Sequence, residues 1–196
     1  LEKEVNQFQE QGNLAYYESF RGDSMQMIIP DPEKALKIAF RLKFAINRIK
    51  SSGTQKRGAK IQRDLRLAIG IGKTNQNRFD KMTSEAPFVR SGQKLDTIDK
   101  ENRTVGISTG NKELDKELDT ELYLLEGIFQ RWTIPVVEVV YHKLHNKTEQ
   151  AIAEELKISQ SAVNQRGHSA YWSGVRVLLE RYEELVTDHL KEKSHE

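Results

Sequence analysis

The sequence predicts an α+β protein, with a mixed front part over residues 1–110 and an all-helical back part. Three observations predict it. Short runs of period-two alternation stand between helical stretches as far as Gly110-Asn111. Beyond that point only helical periodicity occurs. Within it, Thr148 to Ala170 (TEQAIAEELKISQSAVNQRGHSA) has the form of two short helices joined by a tight turn. The expected division is 1–110, a connecting helix over 111–132, and a helix-turn-helix unit over 133–196.

The elements follow in order. Leu1 to Gln11 reads as a helix with Leu1, Val5 and Phe8 on one face, stopped by Gly12-Asn13. Ala15 to Phe20 and Ser24 to Ile29 are strand-like runs flanking Gly22-Asp23, the signature of a hairpin. Asp31 is the expected cap of a helix from Pro32 to about Ser51, with Pro32 in its first turn. Ser51 to Lys60 is a basic loop. Leu65 to Thr74 (LRLAIGIGKT) is a strand with Leu65, Leu67, Ile69 and Ile71 on one side. Ala68, Gly70 and Gly72 lie on the other, where small residues suggest that a backbone or a ligand passes close. Ser84 to Asp99 is a helix and Thr104 to Ser108 a strand. Lys112 to Trp132 is a long helix with the stripe Leu114, Leu118, Leu122, Leu125, Phe129, Trp132 and an acidic opposite face. Thr133 precedes a helix over Ile134 to Leu144. A last amphipathic helix carries Trp172, Val175, Leu178, Leu179, Tyr182 and Leu185.

Composition narrows the function classes. The 196 residues carry a net charge of +2, so nothing global demands a polyanionic partner. There is no cysteine, which excludes disulfides, thiolate metal sites and a cysteine nucleophile, and fits a cytoplasmic protein. No apolar run of about 18 residues exists, so no membrane span is expected.

The Thr148–Ala170 stretch carries the most chemistry. Thr148 and Ser159 stand where caps belong, and Ala153 and Ala162 are small enough for a helix crossing. Lys157 replaces the usual turn glycine. On the second helix Gln160, Ser161, Asn164, Gln165 and His168 point outward, with Arg166 nearby. Asn, Gln and Arg are the side chains that pair bidentately with base edges in a major groove, so these six are the expected DNA contacts. From Thr133 to Asp188, six basic residues face eight acids, a balance of −2. A lone copy is therefore expected to bind DNA weakly, and a homodimer is the expected binding form. From Gln160 to Arg176 there is no acid at all.

Other constellations carry less. The tract Arg48, Lys50, Lys56, Arg57, Lys60, Arg63, Arg66 offers Lys56, Arg57 and Lys60 as candidate phosphate contacts, against the plain reading of a solvated loop. Gly70 to Thr74 lacks the spacing of a phosphate loop and reads as a strand end. His142 and His145 have no third ligand at fitting spacing.

Helix, hairpin with a Gly-Asp turn, helix, strand ending in GIG, helix, strand is also the order of the nucleotidyl cyclase and GGDEF palm domain, which resembles a ferredoxin-like core. With FRGDSMQM (Phe20 to Met27), LRLAIGIGKT, SEAPFVRSGQKLD and a helix-turn-helix behind, the chain resembles the SatD family over nearly all its length. In such a palm, an acid at the hairpin turn helps to hold the metal that activates a nucleoside triphosphate. The resemblance thus implies Asp23 as a metal ligand, with Mg²⁺ as the metal. The turn reads Gly-Asp-Ser-Met, without the second acid of a GGDEF protein, and the acid of the family's first strand would lie before Leu1. The leading expectation is a degenerate cyclase-like domain that senses a nucleotide or holds a partner, joined to a DNA-binding regulator. One alternative is metal-dependent nucleotidyl or phosphoryl transfer, completed by an upstream strand. Another is a protein-interaction module that never touches DNA.

Overall fold

The computed structural model describes residues 2–19, 24–49, 60–61, 63–74 and 85–192. The chain is α+β, with long helices around two small sheets. Helix α1 (Glu2–Glu10) buries Val5 and Phe8 and stops at Gly12, whose φ of +69° is open to glycine without strain. Strands β1 (Tyr16–Ser19) and β2 (Met25–Ile28) pair antiparallel, with Tyr16 opposite Ile28 and Ser19 opposite Met25. The next helix starts differently from expectation. Pro32–Lys34 is a 3-10 turn, and Asp31 makes no capping bond from its side chain. Its carboxylate is drawn instead to Lys34 Nζ at 2.6 Å.

Helix α2 (Ala35–Asn47) runs through the middle of the molecule. Its apolar residues Leu36, Ala39, Phe40, Leu42, Phe44 and Ala45 are buried, and Arg41, Lys43 and Asn47 are buried as well. Buried polar groups must be paired. Lys43 bonds to Asp64 and to the Leu65 carbonyl, and Asn47 donates to the Arg63 carbonyl at 2.7 Å. The segment that leads into the next strand is thereby tied down.

Strand β3 (Leu67–Gly70), helix α3 (Ala86–Lys100) and strand β4 (Val105–Ser108) follow. The two strands pair parallel, Leu67 opposite Val105 and Gly70 opposite Ser108. The small residues of β3 face α3. A Cβ on Gly70 would collide with the Pro87 carbonyl, and one on Gly106 would lie 2.7 Å from the Ile98 and Lys94 side chains. The close neighbour is thus a helix backbone. Among the described residues the β1–β2 and β3–β4 pairs form separate sheets.

Helix α4 (Lys112–Phe129) opens on Asn111, whose side chain accepts from the amides of Glu113 and Leu114. Its stripe Leu114, Leu118, Leu122, Leu125, Phe129 is buried as the periodicity predicts. The helix ends at Phe129, and Trp132 packs from the turn beyond it. Phe129 meets Phe40 at 5.5 Å, Phe44 at 5.2 Å and Trp132 at 4.5 Å between ring centroids. Helices α5 (Ile134–Leu144), α6 (Glu149–Leu156), α7 (Gln160–Ser169) and α8 (Trp172–Glu192) complete the chain. Thr133 precedes α5 with extended backbone but makes no side-chain cap. One apolar core joins residues of α2, β4, α4, α5 and α8. The Tyr182 hydroxyl of α8 donates to the Pro32 carbonyl at 2.8 Å. Among the described residues no helix is long and apolar enough to cross a membrane.

Candidate nucleic-acid interface

Helices α6 and α7 hang on α5 through a small core of their own. Val139, Ile152, Ala153 and Val163 are buried together, with Leu156 and Ile158 packed against them. Both helices begin on working caps. Thr148 Oγ1 accepts from the Ala151 amide and Ser159 Oγ from the Ala162 amide, each at 3.2 Å. Between them Lys157 takes the left-handed conformation, φ 54° and ψ 48°. The Ile158 amide then closes the end of α6 on the Ala153 carbonyl at 3.0 Å. The turn geometry therefore forms without glycine, at a cost of about 1–2 kcal/mol for the side chain. Ser159→Ala is expected to lower stability by about 1 kcal/mol, read as a shift in the thermal midpoint with unchanged secondary structure. A midpoint equal to that of the parent protein would show that the cap contributes nothing.

Gly167 and Val163 turn α7 inward. A Cβ on Gly167 would lie 3.3 Å from Lys143 Cε, so the Lys143 stem from α5 crosses there. The opposite face of α7 is exposed at Gln160, Ser161, Asn164, Gln165 and His168, while Arg166 is half-buried. Ser161 Oγ lies 2.9 Å from the Ser159 hydroxyl.

Two further residues belong to this face. Glu149, in the first turn of α6, bonds to Lys143 Nζ at 2.8 Å. Its carboxyl is held below the usual range by Lys143 first, then by a hydrogen bond from Asn164 and the charge of His168. Asn164 is exposed, as the periodicity of α7 predicts, with this acid of α6 nearby. The other is Tyr171, which joins α7 to α8 with φ +52° and is 57% exposed. Its ring lies over Gly174, where a Cβ would collide with it. A non-glycine residue in the left-handed region was the available signal for both Lys157 and Tyr171, but positive φ cannot be seen in residue type alone.

Helix α5 is anchored from behind. Glu4 of α1, 2% exposed, accepts from the Tyr141 hydroxyl. Its other oxygen lies 3.3 Å from Arg41 and 3.4 Å from the His145 ring. Burial pushes the Glu4 carboxyl up, but His145, Tyr141 and Arg41 outweigh it and bring it down to about 2. Burial and the bond to Glu4 push Tyr141 up to about 12. The neighbouring His142 is driven down by burial, against the pull of Glu155 at 3.7 Å. The two histidines thus serve the packing of α5, and the described residues contain no group of three His, Asp or Glu able to hold a metal.

Lys60 is exposed and forms an isolated bridge to Thr133. Lys56, Arg57 and Asp23 lie outside the described residues. Arg48 stacks on the Tyr141 ring at 3.9 Å and Arg66 pairs with Asp99 at 2.8 Å. No family model, no curated protein and no solved structure matches the chain.

Proposed function

We propose that the chain is a DNA-binding regulatory protein, with α6 and α7 as its helix-turn-helix and α7 as the reading helix. Support for this reading rests on one observation: a doubly capped helix pair turns an acid-free polar face to solvent from Gln160 onward. Gln160, Ser161, Asn164, Gln165, Arg166 and His168 are the proposed contacts, by hydrogen bonding to base edges. Phosphates would meet the amides at the starts of α6 and α7. The net charge of −2 over Thr133–Asp188 leaves little non-specific attraction, so two copies bind together. Residues 1–110 are the proposed degenerate palm of the SatD type, which senses a nucleotide or holds a partner, and the order α1, hairpin, α2, β3, α3, β4 supports that reading. Asp23, with Mg²⁺, and the Lys56, Arg57, Lys60 set belong to the same proposal.

Fluorescence polarisation across a library of duplexes tests it. Binding is expected to depend on sequence, and Asn164→Ala to cost roughly 1–3 kcal/mol on the preferred duplex. Glu149→Gln, which removes a negative charge near α7, is expected to tighten binding to all duplexes. Equal, salt-limited binding to every duplex, unchanged in Asn164→Ala and Arg166→Ala, would overturn the proposal. A second reading, a protein-interaction module, draws on the −2 balance of Thr133–Asp188, which disfavours a polyanion. Under that reading no duplex binds, with or without Glu149→Gln.

A further inference from the structure

We propose that the cleft between α4 and α8 is a binding site for a linear polyamine. The cleft has a volume of about 600 Å³. On the α4 side Glu113, Glu117 and Glu121 line it; on the α8 side, Asp188, His189 and Glu192. The three glutamates are spaced i, i+4, i+8, so their carboxylates climb one helix face in steps of about 6 Å. Like charges at this spacing destabilise a helix, and the arrangement invites counter-charge.

Only part of that counter-charge is present. Glu117 pairs with Arg181 at 3.1 Å and Asp188 with Lys191 at 3.4 Å. Lys116 also borders the cleft. Among the described residues Glu113, Glu121 and Glu192 form no ion pair. Burial, with the charge of Glu117, pushes the Glu121 carboxyl up.

A second observation is independent of the acids. His189 is only 5% exposed, lines the cleft, and its Nε2 has no hydrogen-bond partner. Glu121 Oε2 is likewise buried and unpartnered. Orphaned buried polar atoms are rare in native proteins and mark places where a partner is missing. A donor entering between the helices would satisfy Glu121 Oε2, and His189 Nε2 in the tautomer that carries its proton on Nδ1.

The chemistry of that donor follows from the spacing. The described residues hold no three His, Asp or Glu close enough to share one metal ion, and the carboxylates of the cleft are spread along two helices instead. Between the acids lie Leu114 and Leu185, an apolar floor. Separated ammonium groups on an aliphatic chain match separated carboxylates over leucines. Because α8 follows α7 directly and α4 packs on α8, an occupied cleft would brace the reading helix against the body.

Isothermal titration of the full chain with spermidine, without DNA, tests the site. Spermidine is expected to bind saturably and to raise the thermal midpoint, whereas Na⁺ at matched ionic strength does neither. Glu121→Gln is expected to weaken spermidine roughly tenfold, the loss of one charge-assisted contact. Glu154→Gln, on exposed α6, is expected to leave it unchanged. Nuclear magnetic resonance of the wild-type chain supplies a readout that needs no variant: spermidine must shift the His189 ring signals. Equal responses to spermidine and Na⁺, an unchanged affinity in Glu121→Gln, or a His189 signal that does not move would each overturn the proposal. The assay contains no DNA, so its failure leaves the DNA-binding reading standing.

Discussion

Glu4→Gln is expected to lower stability at pH 7 by on the order of 3 kcal/mol and to flatten the acid sensitivity of the fold. The Glu4 carboxyl sits at about 2 in the folded chain against an ordinary 4.5. A depressed carboxyl contributes stability that is fully present above its ordinary value and is lost as pH falls toward its folded value. The window is therefore between pH 4.5 and 2, and a difference of about 2.5 units at 1.36 kcal/mol each gives the magnitude. Removing the charge also leaves the buried Arg41 guanidinium without its counterion, a change that costs about 3–5 kcal/mol in comparable buried pairs. Denaturant midpoints measured at pH 7 and then stepwise down to pH 2 would show it. The parent protein should lose stability steeply through that window and Glu4→Gln much less. Parallel curves would mean that the Glu4 network is neutral. The consequence reaches the interface, because Tyr141 and His145 lie on α5, the helix from which α6 and α7 hang.

Phe129→Ala is expected to cost about 3–5 kcal/mol. Phe129 ends α4 at the point where α2 passes, and its ring touches Phe40, Phe44 and Trp132 together. Truncation removes the transfer energy of one aromatic side chain and leaves a cavity between two rigid helices that cannot close on it. Phe129→Leu keeps most of the volume and should cost less than half as much. Equilibrium unfolding in urea separates the two outcomes. Similar midpoints for alanine and leucine would show that the site collapses around the gap and that the aromatic cluster is not the keystone of the core.

Much of the fold was legible in residue order. Strand-like runs on either side of Gly22-Asp23 placed the β1–β2 pairing, the leucine stripe placed α4, and small residues opposite apolar ones marked the side of β3 that α3 covers. These features rest on local conformational preference and on periodicity, which neighbouring residues express by themselves. Asp31 shows the limit. Its position suits a cap, but its carboxylate pairs with Lys34 instead, and the first turn is 3-10. Arg41, Lys43 and Asn47 show it again. On α2 they look like a solvent face, yet Glu4 and the 63–65 segment cover them.

The same division runs through the candidate interface. Residue order by itself determined an α+β chain, two capped helices over Thr148–Ala170, and which side of the second one turns outward from Val163. Caps and amphipathic spacing are short-range, so sequence carries them directly. Only the tertiary structure decided that Glu149 pairs with Lys143, that the Lys143 stem needs Gly167 beneath it, that α4 and α8 leave an acidic cleft around His189, and that Glu4 fixes α5 from the far end of the chain. Each of these joins residues on separate elements. Contacts of that kind depend on where whole helices come to rest, which the summed packing of the core sets and no local pattern encodes.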